Sequence, residues 1–140
     1  MFNVVVIDGQ GGGFGRQLVV RIKELLPQAF VTAVGANSAA TAAMLKAGAD
    51  VGATGENAAV VACRRADVIT GPVGIVIADA LFGEITPAMA AAAAQSPAKR
   101  VLLPFNHCDN LIVGVSDFNP AYLVKCAAEE IAAIAAQENR

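Results

Sequence analysis

Residues 9–15 read GQGGGFG, so glycine fills five of seven positions. Ordering glycine costs more backbone entropy than ordering any other residue, so a run of this kind indicates a sharp turn or a close approach to a ligand. A β-branched apolar stretch precedes the run, and apolar residues at helical spacing follow it. A glycine-rich turn between a strand and a helix is where backbone N–H groups and the helix N-terminus bind phosphate.

The spacing of these glycines favours a dinucleotide-binding loop. Gly9, Gly13 and Gly15 match the GxxxGxG pattern of short-chain dehydrogenase-like Rossmann domains, in which the pyrophosphate meets the helix N-terminus. GxGxxG does not fit, because Phe14 stands where its last glycine is needed. The predicted cofactor contacts are Gly9, Gln10, Gly11, Gly12, Gly13, Phe14, Gly15, Asn37, Ser38, Gly71, Pro72 and Gly74.

The run has two other interpretations. A P-loop needs Lys for the terminal phosphates and Ser or Thr for magnesium, whereas Arg16 and Gln17 occupy those places. ATP hydrolysis therefore ranks low. A tight turn kept only for packing is the other alternative, and it stays open.

The residues after the second strand bear on the choice of cofactor. An NAD site commonly carries Asp or Glu there for the ribose 2′-hydroxyl, but this chain has Gly35, Ala36, Asn37 and Ser38. Without a carboxylate to repel a 2′-phosphate, NADP is preferred over NAD. That these residues only cap a helix is an equal alternative.

Candidate catalytic residues lie at 106–109. Asn106, His107 and Cys108 are predicted to be catalytic, because His107 is the only histidine and stands beside a thiol. A polar hairpin turn explains the same residues, and no metal site is predicted. Glu84 could reach a substrate, although capping and solvation are the simpler explanation for it.

The rest of the chain predicts one α/β domain, residues 1–140. Strands are expected at residues 2–7, 30–35, 67–71, 100–105 and 111–115, with helices between them. The expected fold is a Rossmann-like three-layer sandwich with a mainly parallel sheet of order 3-2-1-4. The last strand follows a connection too short for a parallel crossover, so it is predicted as an antiparallel edge. The reversal of order places the glycine run beside residues 106–109.

Composition excludes several functions. A net charge of -2 gives no basic surface for nucleic acid. The stretch 68–81 contains Pro72 and Asp79 and falls short of the roughly 20 apolar residues of a membrane span. Three widely spaced cysteines without a leader pattern indicate the cytoplasm. With 56% hydrophobic residues, Ala-rich helices predict a homo-oligomer that buries apolar surface between subunits, with a tightly packed monomer as the alternative.

Long stretches of the sequence resemble one family. VVVIDGQGGGFG, GANSAATAAMLKAGAD, GATGENA, ITGPVGIVIADALFGEITPAMA and SPAKRVLLPFNHC are similar to an uncharacterised domain-of-unknown-function family of small bacterial proteins. The resemblance implies a compact Rossmann-like domain and no established reaction. It also implies that residues 9–15, 37–38, 54–57 and 71–74, with Asn106 and Cys108, belong to the family pattern, and that His107 varies.

The sequence is therefore compatible with three functions. The first is a nucleotide- or dinucleotide-binding protein, NADP preferred, whose activity, if it is an enzyme, is an NAD(P)-dependent redox reaction. The second is a non-catalytic module that senses a nucleotide or phosphorylated metabolite and acts through a protein partner. The third is an assembly protein with an empty site.

Overall fold

A computed structural model describes residues 1–104, 110–116 and 118–138. The strands are β1 (Asn3–Asp8), β2 (Phe30–Gly35), β3 (Val51–Thr54), β4 (Val68–Pro72) and β5 (Lys99–Leu103). The helices are α1 (Gly13–Leu25), α2 (Ser38–Lys46), α3 (Glu56–Arg65), α4 (Pro87–Gln95) and α5 (Pro120–Glu138), with a 3-10 turn at Val73–Val76.

The five strands form one parallel sheet in the order β3-β2-β1-β4-β5. Apolar clusters cover both faces, so the protein is a three-layer α/β sandwich. Val4 and Val6 of β1 face the cluster that includes α1 and α5, whereas Val5 and Ile7 face the cluster that includes α3 and α4. The buried strand β1 is therefore apolar without alternation, as the sequence predicted.

The order 3-2-1-4 is thus found, but its strands are not all the expected ones. The third strand is Val51–Thr54, which the sequence analysis did not predict, and β4 pairs directly with β1. The expected antiparallel edge strand at residues 111–115 is wrong. Residues 110–116 form coil and a turn, with Leu111 and Val113 largely exposed, and all five strands are parallel. β-branched residues alone do not make a strand when no neighbouring strand pairs with them.

Two helices begin at residues whose side chains cap them. Thr86 caps α4 by accepting the N–H of Met89 at 3.2 Å, with Pro87 as the first helical residue. Asn37, the residue before α2, caps that helix by accepting the N–H of Ala40 at 2.9 Å. None of the helices in the described ranges has the length and hydropathy of a membrane span.

Thr70 is an exception within the otherwise apolar core. It is fully buried in β4, and its hydroxyl has no hydrogen-bond partner among the described residues. In the sheet register it lies beside Val6 of β1, so its side chain shares the face that packs against α1. A buried hydroxyl without a partner destabilises the fold.

Candidate functional site

The glycine loop, residues 9–15, connects β1 to α1. The N–H of Gly12 donates to the carbonyl of Gly9 at 2.9 Å and closes a tight turn. Gly12 then adopts a left-handed conformation, with φ of 73°, and α1 begins at Gly13. The predicted arrangement of a strand, a glycine turn and a helix is confirmed at this point.

The buried carboxylate of Asp8 binds both ends of the loop. Asp8, the last residue of β1, is 5% exposed. Its Oδ1 accepts the N–H of Gly9 at 2.8 Å, and its Oδ2 accepts the N–H of Gly15 at 2.7 Å. Burial raises the pKa of this carboxyl above its ordinary value of 3.8, and the charge of Glu84 adds to the increase, against the N–H donors of Gly15 and Gly9.

Two of the five loop glycines, Gly12 and Gly15, are required by the fold itself, and a third, Gly9, packs against flexible side chains. A Cβ on Gly15 would lie 2.5 Å from the sulfur of Met44 and 2.9 Å from the Cβ of Asp8. Gly12 has a positive φ, and a Cβ there would lie 3.0 Å from the Cα of Ala40, so a residue with a side chain would be strained at this position. A Cβ on Gly9 would meet Oε1 of Glu84 at 2.9 Å. These three glycines are buried.

The fold places no such demand on Gly11 and Gly13. Both are exposed, neither has a positive φ, and no atom lies within 4 Å of the position that a Cβ would take. Within the described part of the chain, no acceptor is found for the N–H of either residue. Neither packing nor backbone conformation therefore explains why glycine stands at these two positions.

A second carboxylate contacts the loop from above. Oε1 of Glu84 accepts the N–H of Gln10 at 2.6 Å, and Oε2 accepts the side-chain amide of Asn37 at 2.5 Å. The same Asn37 amide donates to the carbonyl of Gln10 at 2.9 Å. Glu84, Asn37 and Gln10 therefore form a closed set of polar contacts at the mouth of the loop.

Glu84 ends a turn of unusual conformation, which we call the 79–84 turn. Asp79, Leu81 and Phe82 have positive φ values of 67°, 56° and 56°, and Gly83 has 85°. Residues with a Cβ rarely adopt this region. Leu81 is buried beneath the turn, whereas the side chain of Phe82 is 89% exposed.

Between the loop and this turn lies a cleft of about 190 Å³. Its walls are the loop on one side and Pro72 and Leu81 on the other. Gly71 and Gly74 have structural roles, because a Cβ on Gly71 would collide with the carbonyl oxygen of Ile7 and one on Gly74 would press on Ala80 at 3.1 Å. The cleft lies at the carboxyl ends of β1 and β4, where the strand order reverses.

The structure therefore brings together most, but not all, of the predicted residues. Lining the cleft are Gly9, Gln10, Gly11, Gly12, Gly13, Phe14 and Pro72. Asn37 contacts Gln10 at the edge of the loop, and Ser38 is exposed at the start of α2. Asn106, His107, Cys108 and Asp109 lie outside the described residues.

The remaining reactive side chains are distributed elsewhere. Burial raises the pKa of the Cys63 thiol to about 11, and Cys126 is a half-buried free thiol. In the described ranges no three His, Cys, Asp or Glu side chains come together as a metal site would require. Arg16 is exposed in the first turn of α1, one residue after the loop.

Sequence reasoning missed the part played by Asp8. An acid at the end of a buried strand, directly before a glycine run, is the local signal that could have revealed it. Glu84 was noted as a residue that could reach a substrate, but its contact with Gln10 spans 74 positions and leaves no local pattern.

Comparison with known proteins settles the family. A family model for a domain of unknown function, DUF3842, matches residues 3–136. The chain belongs to the DUF3842 family. This confirms the resemblance drawn from the sequence, and the DUF3842 match covers the whole sheet together with the glycine loop and the 79–84 turn.

Structural and curated comparisons add little to the DUF3842 assignment. Among solved structures, the chain is similar to a dodecameric FMN-dependent UbiX-like decarboxylase from Escherichia coli O157:H7. The two share 19% identity with a TM-score of 0.47, over 94% of this chain and 76% of the other. The comparison with curated proteins gave no significant match.

Proposed function

We propose that this protein binds a phosphate-bearing nucleotide, with NADP preferred, at the glycine loop. The observation that carries the proposal is the pair Gly11 and Gly13. Both are exposed at the start of a helix, where an anion is favoured, and both leave open the space that a side chain would fill. A ligand that approaches the backbone closely accounts for glycine at these positions, whereas packing does not.

The size of the cleft limits which part of the ligand it holds. Typical small-molecule sites measure roughly 300–1,000 Å³, and the cleft of about 190 Å³ is smaller. A cleft of this size suits the phosphate groups, and we expect the remainder of the nucleotide to extend beyond it. Arg16, exposed next to the loop, is placed to contribute a positive charge.

The preference for NADP rests on the end of β2. β2 ends at Gly35 and is followed by Ala36, Asn37 and Ser38, so the end of β2 carries no Asp or Glu of its own. The carboxylate that contacts Asn37, that of Glu84, comes from a different segment. The Asn37 side chain is already engaged by Gln10 and Glu84. Ser38 is therefore the residue that we expect to donate to a 2′-phosphate.

Calorimetric and thermal-shift titration of the purified protein against NADP, NADPH, NAD, ATP and FMN tests this proposal. A single-site ligand at 100 times its Kd should stabilise the fold by about 2.7 kcal/mol. Gly13→Val should abolish binding. Ala94→Val, which places the same side chain at an exposed position of α4, should not. If none of the five ligands binds, the proposal is rejected.

A redox activity that uses NAD(P) is the reaction class we propose if the protein is an enzyme. Asn106, His107 and Cys108 stay the proposed catalytic residues. Cys108→Ala and Asn106→Ala should then abolish turnover but retain ligand binding, which separates catalysis from binding.

A sensing module that acts through a protein partner is the second candidate, and the 79–84 turn favours it. Glu84 contacts the loop while Phe82, two residues away, is 89% exposed. Exposed aromatic side chains are frequent contacts in protein interfaces. A ligand that moved Glu84 would therefore also move an apolar contact surface.

We also propose that the protein is a homo-oligomer. On the α3 face, the sheet near β2 and β3 carries an apolar groove of about 540 Å³, lined among others by Phe30, Val51 and Val61. All four residues of β3 are exposed. Light scattering coupled to size-exclusion chromatography tests this, with Val51→Lys expected to shift the population toward monomer.

A further inference from the structure

We propose that Glu84 is an internal competitor for the anion position of the glycine loop, so that a phosphate-bearing ligand binds by displacing its carboxylate. This inference rests on the proposed function and concerns the regulation of the same site. It makes the 79–84 turn an autoinhibitory element.

The contacts of Glu84 are those that an anion would make. Its Oε1 accepts a hydrogen bond from the N–H of Gln10, the residue before Gly11. Its Oε2 takes the amide of Asn37, a residue predicted as a cofactor contact. With the carboxylate in place, neither donor is available to a ligand. When it leaves, the loop offers Gln10, Gly11 and Gly13 as N–H donors, together with the Asn37 amide.

Charge makes simultaneous occupancy unfavourable. The buried Asp8 already places one carboxylate beneath the loop, and its pKa is raised in part by Glu84. A phosphate added to this pair would bring a third acidic group to one small cleft. Like charges at this spacing repel one another. Glu84 is the member that can leave, since Asp8 is held inside the fold by Gly9 and Gly15.

The construction of the turn is consistent with such a movement. Ala80, Leu81 and Ile85 are buried and attach it to the core, whereas Phe82 and Gly83 at its tip are exposed. Leu81, Phe82 and Gly83 are held in consecutive left-handed conformations. A change in these backbone angles would withdraw Glu84 without unpacking the buried residues, as hinge positions do in other switching segments.

Inorganic pyrophosphate and NADP are the probes for the test, each titrated calorimetrically at fixed ionic strength. We expect Glu84→Ala to bind both about tenfold more tightly than the wild type, which corresponds to ~1.4 kcal/mol. Glu84→Gln keeps the shape of the side chain and guards against a folding defect in the alanine variant. Glu56→Gln removes the same charge from a residue that contacts Thr86 instead of the loop, and it should leave affinity unchanged.

The outcomes separate this inference from the proposed function. Tighter binding in both Glu84 variants but not in Glu56→Gln supports the displacement. Equal affinity in the wild type and both Glu84 variants overturns the displacement and leaves nucleotide binding intact. If neither the wild type nor any variant binds, the proposed function is rejected and the displacement with it.

Nuclear magnetic resonance gives a second readout. On addition of pyrophosphate to the wild type, the Gln10 backbone amide, the Asn37 side-chain amide and the Glu84 carboxyl resonances should shift together. In Glu84→Ala without ligand, the Gln10 amide should exchange with solvent faster than in the wild type. Saturation by pyrophosphate with the Glu84 and Asn37 resonances unmoved would overturn the inference.

Discussion

The carboxylate of Asp8 accepts the N–H of Gly15, 2.7 Å away, and these two residues bracket the whole glycine loop. The bond links the end of β1 to the first turn of α1, so the shape of the loop does not depend on a ligand. The loop is preorganised, and only Gly11 and Gly13 are left without a structural task.

Alanine at Gly13 and at Gly15 should have opposite effects on stability. Gly13→Ala should leave the free energy of unfolding unchanged or raise it by up to about 1 kcal/mol. Alanine has a higher helix propensity than glycine, and its Cβ would contact no neighbouring atom here. Gly15→Ala should lower it by about 1–3 kcal/mol, because the new Cβ meets Met44 and Asp8. Urea denaturation measures both. Equal losses in the two variants would contradict the division of the loop glycines.

The same Gly13→Ala variant should also lose affinity for NADP. Its stability and its binding would then change independently, which a packing role for Gly13 does not allow. Retained affinity would show that the ligand does not approach this part of the backbone.

Replacing Thr70 with valine should stabilise the protein by about 1 kcal/mol, because an unpartnered buried hydroxyl becomes a methyl group of similar size. Thr41→Val is the matched control. Its hydroxyl contacts the carbonyl of Asn37 at 3.1 Å and the hydroxyl of Thr54 at 2.7 Å, so its loss should destabilise. Thermal and urea unfolding check both. A loss of stability in Thr70→Val would mean that the hydroxyl has a partner in solution.

Phe82→Asn should raise the free energy of unfolding by about 1 kcal/mol, because asparagine tolerates the left-handed conformation better. Little burial is lost, since the phenylalanine is 89% exposed. Phe118→Asn is the control at an exposed aromatic residue without a positive φ, and no gain is expected there. An equal gain in both variants would point to a general effect of removing surface aromatics.

Asp8 should make stability depend on pH in a defined direction. The pKa of Asp8 in the folded protein is raised above 3.8, its ordinary value in the unfolded chain. Between the unfolded and the folded pKa, the folded state therefore binds the proton more firmly than the unfolded state does. Stability relative to Asp8→Asn should therefore increase as pH falls from neutral toward 3.8, and decrease as pH rises through the folded pKa.

The comparison with Asp8→Asn isolates this effect from other groups. The pKa of Asp50 is lowered, chiefly by the N–H of Val31, so its contribution is lost as pH falls, but equally in both proteins. Urea denaturation at a series of pH values measures the difference. Parallel pH profiles for the two proteins would show that burial does not raise the pKa of Asp8.

Local patterns were enough to predict much of this fold. The runs at β1 and β2 are apolar and β-branched because helices cover both faces of the sheet, and Thr86 with Pro87 marks the start of α4. β3 was missed because its four residues, VGAT, are all exposed and carry no apolar pattern. Residues 111–115 show the reverse error, since their β-branched composition occurs without a pairing strand.

The candidate site was predictable only in part for a related reason. The glycine run and its neighbours along the chain could be recognised from spacing. The contacts of Glu84 with Gln10 and Asn37 could not, because they depend on how the segment after β4 folds back over the loop. A difference between required and unrequired glycines likewise appears only when neighbouring atoms are placed.

The position of β1 in the sheet has a consequence for how the protein is made. β1 pairs with β2 on one side and with β4 on the other. β4 begins about 60 residues after β1 ends. During synthesis one edge of this apolar strand therefore stays unpaired until the intervening chain has emerged. Pairings between strands so distant in sequence also form slowly. Glu84 emerges later still, so the whole glycine loop is synthesised before the residue whose carboxylate contacts it.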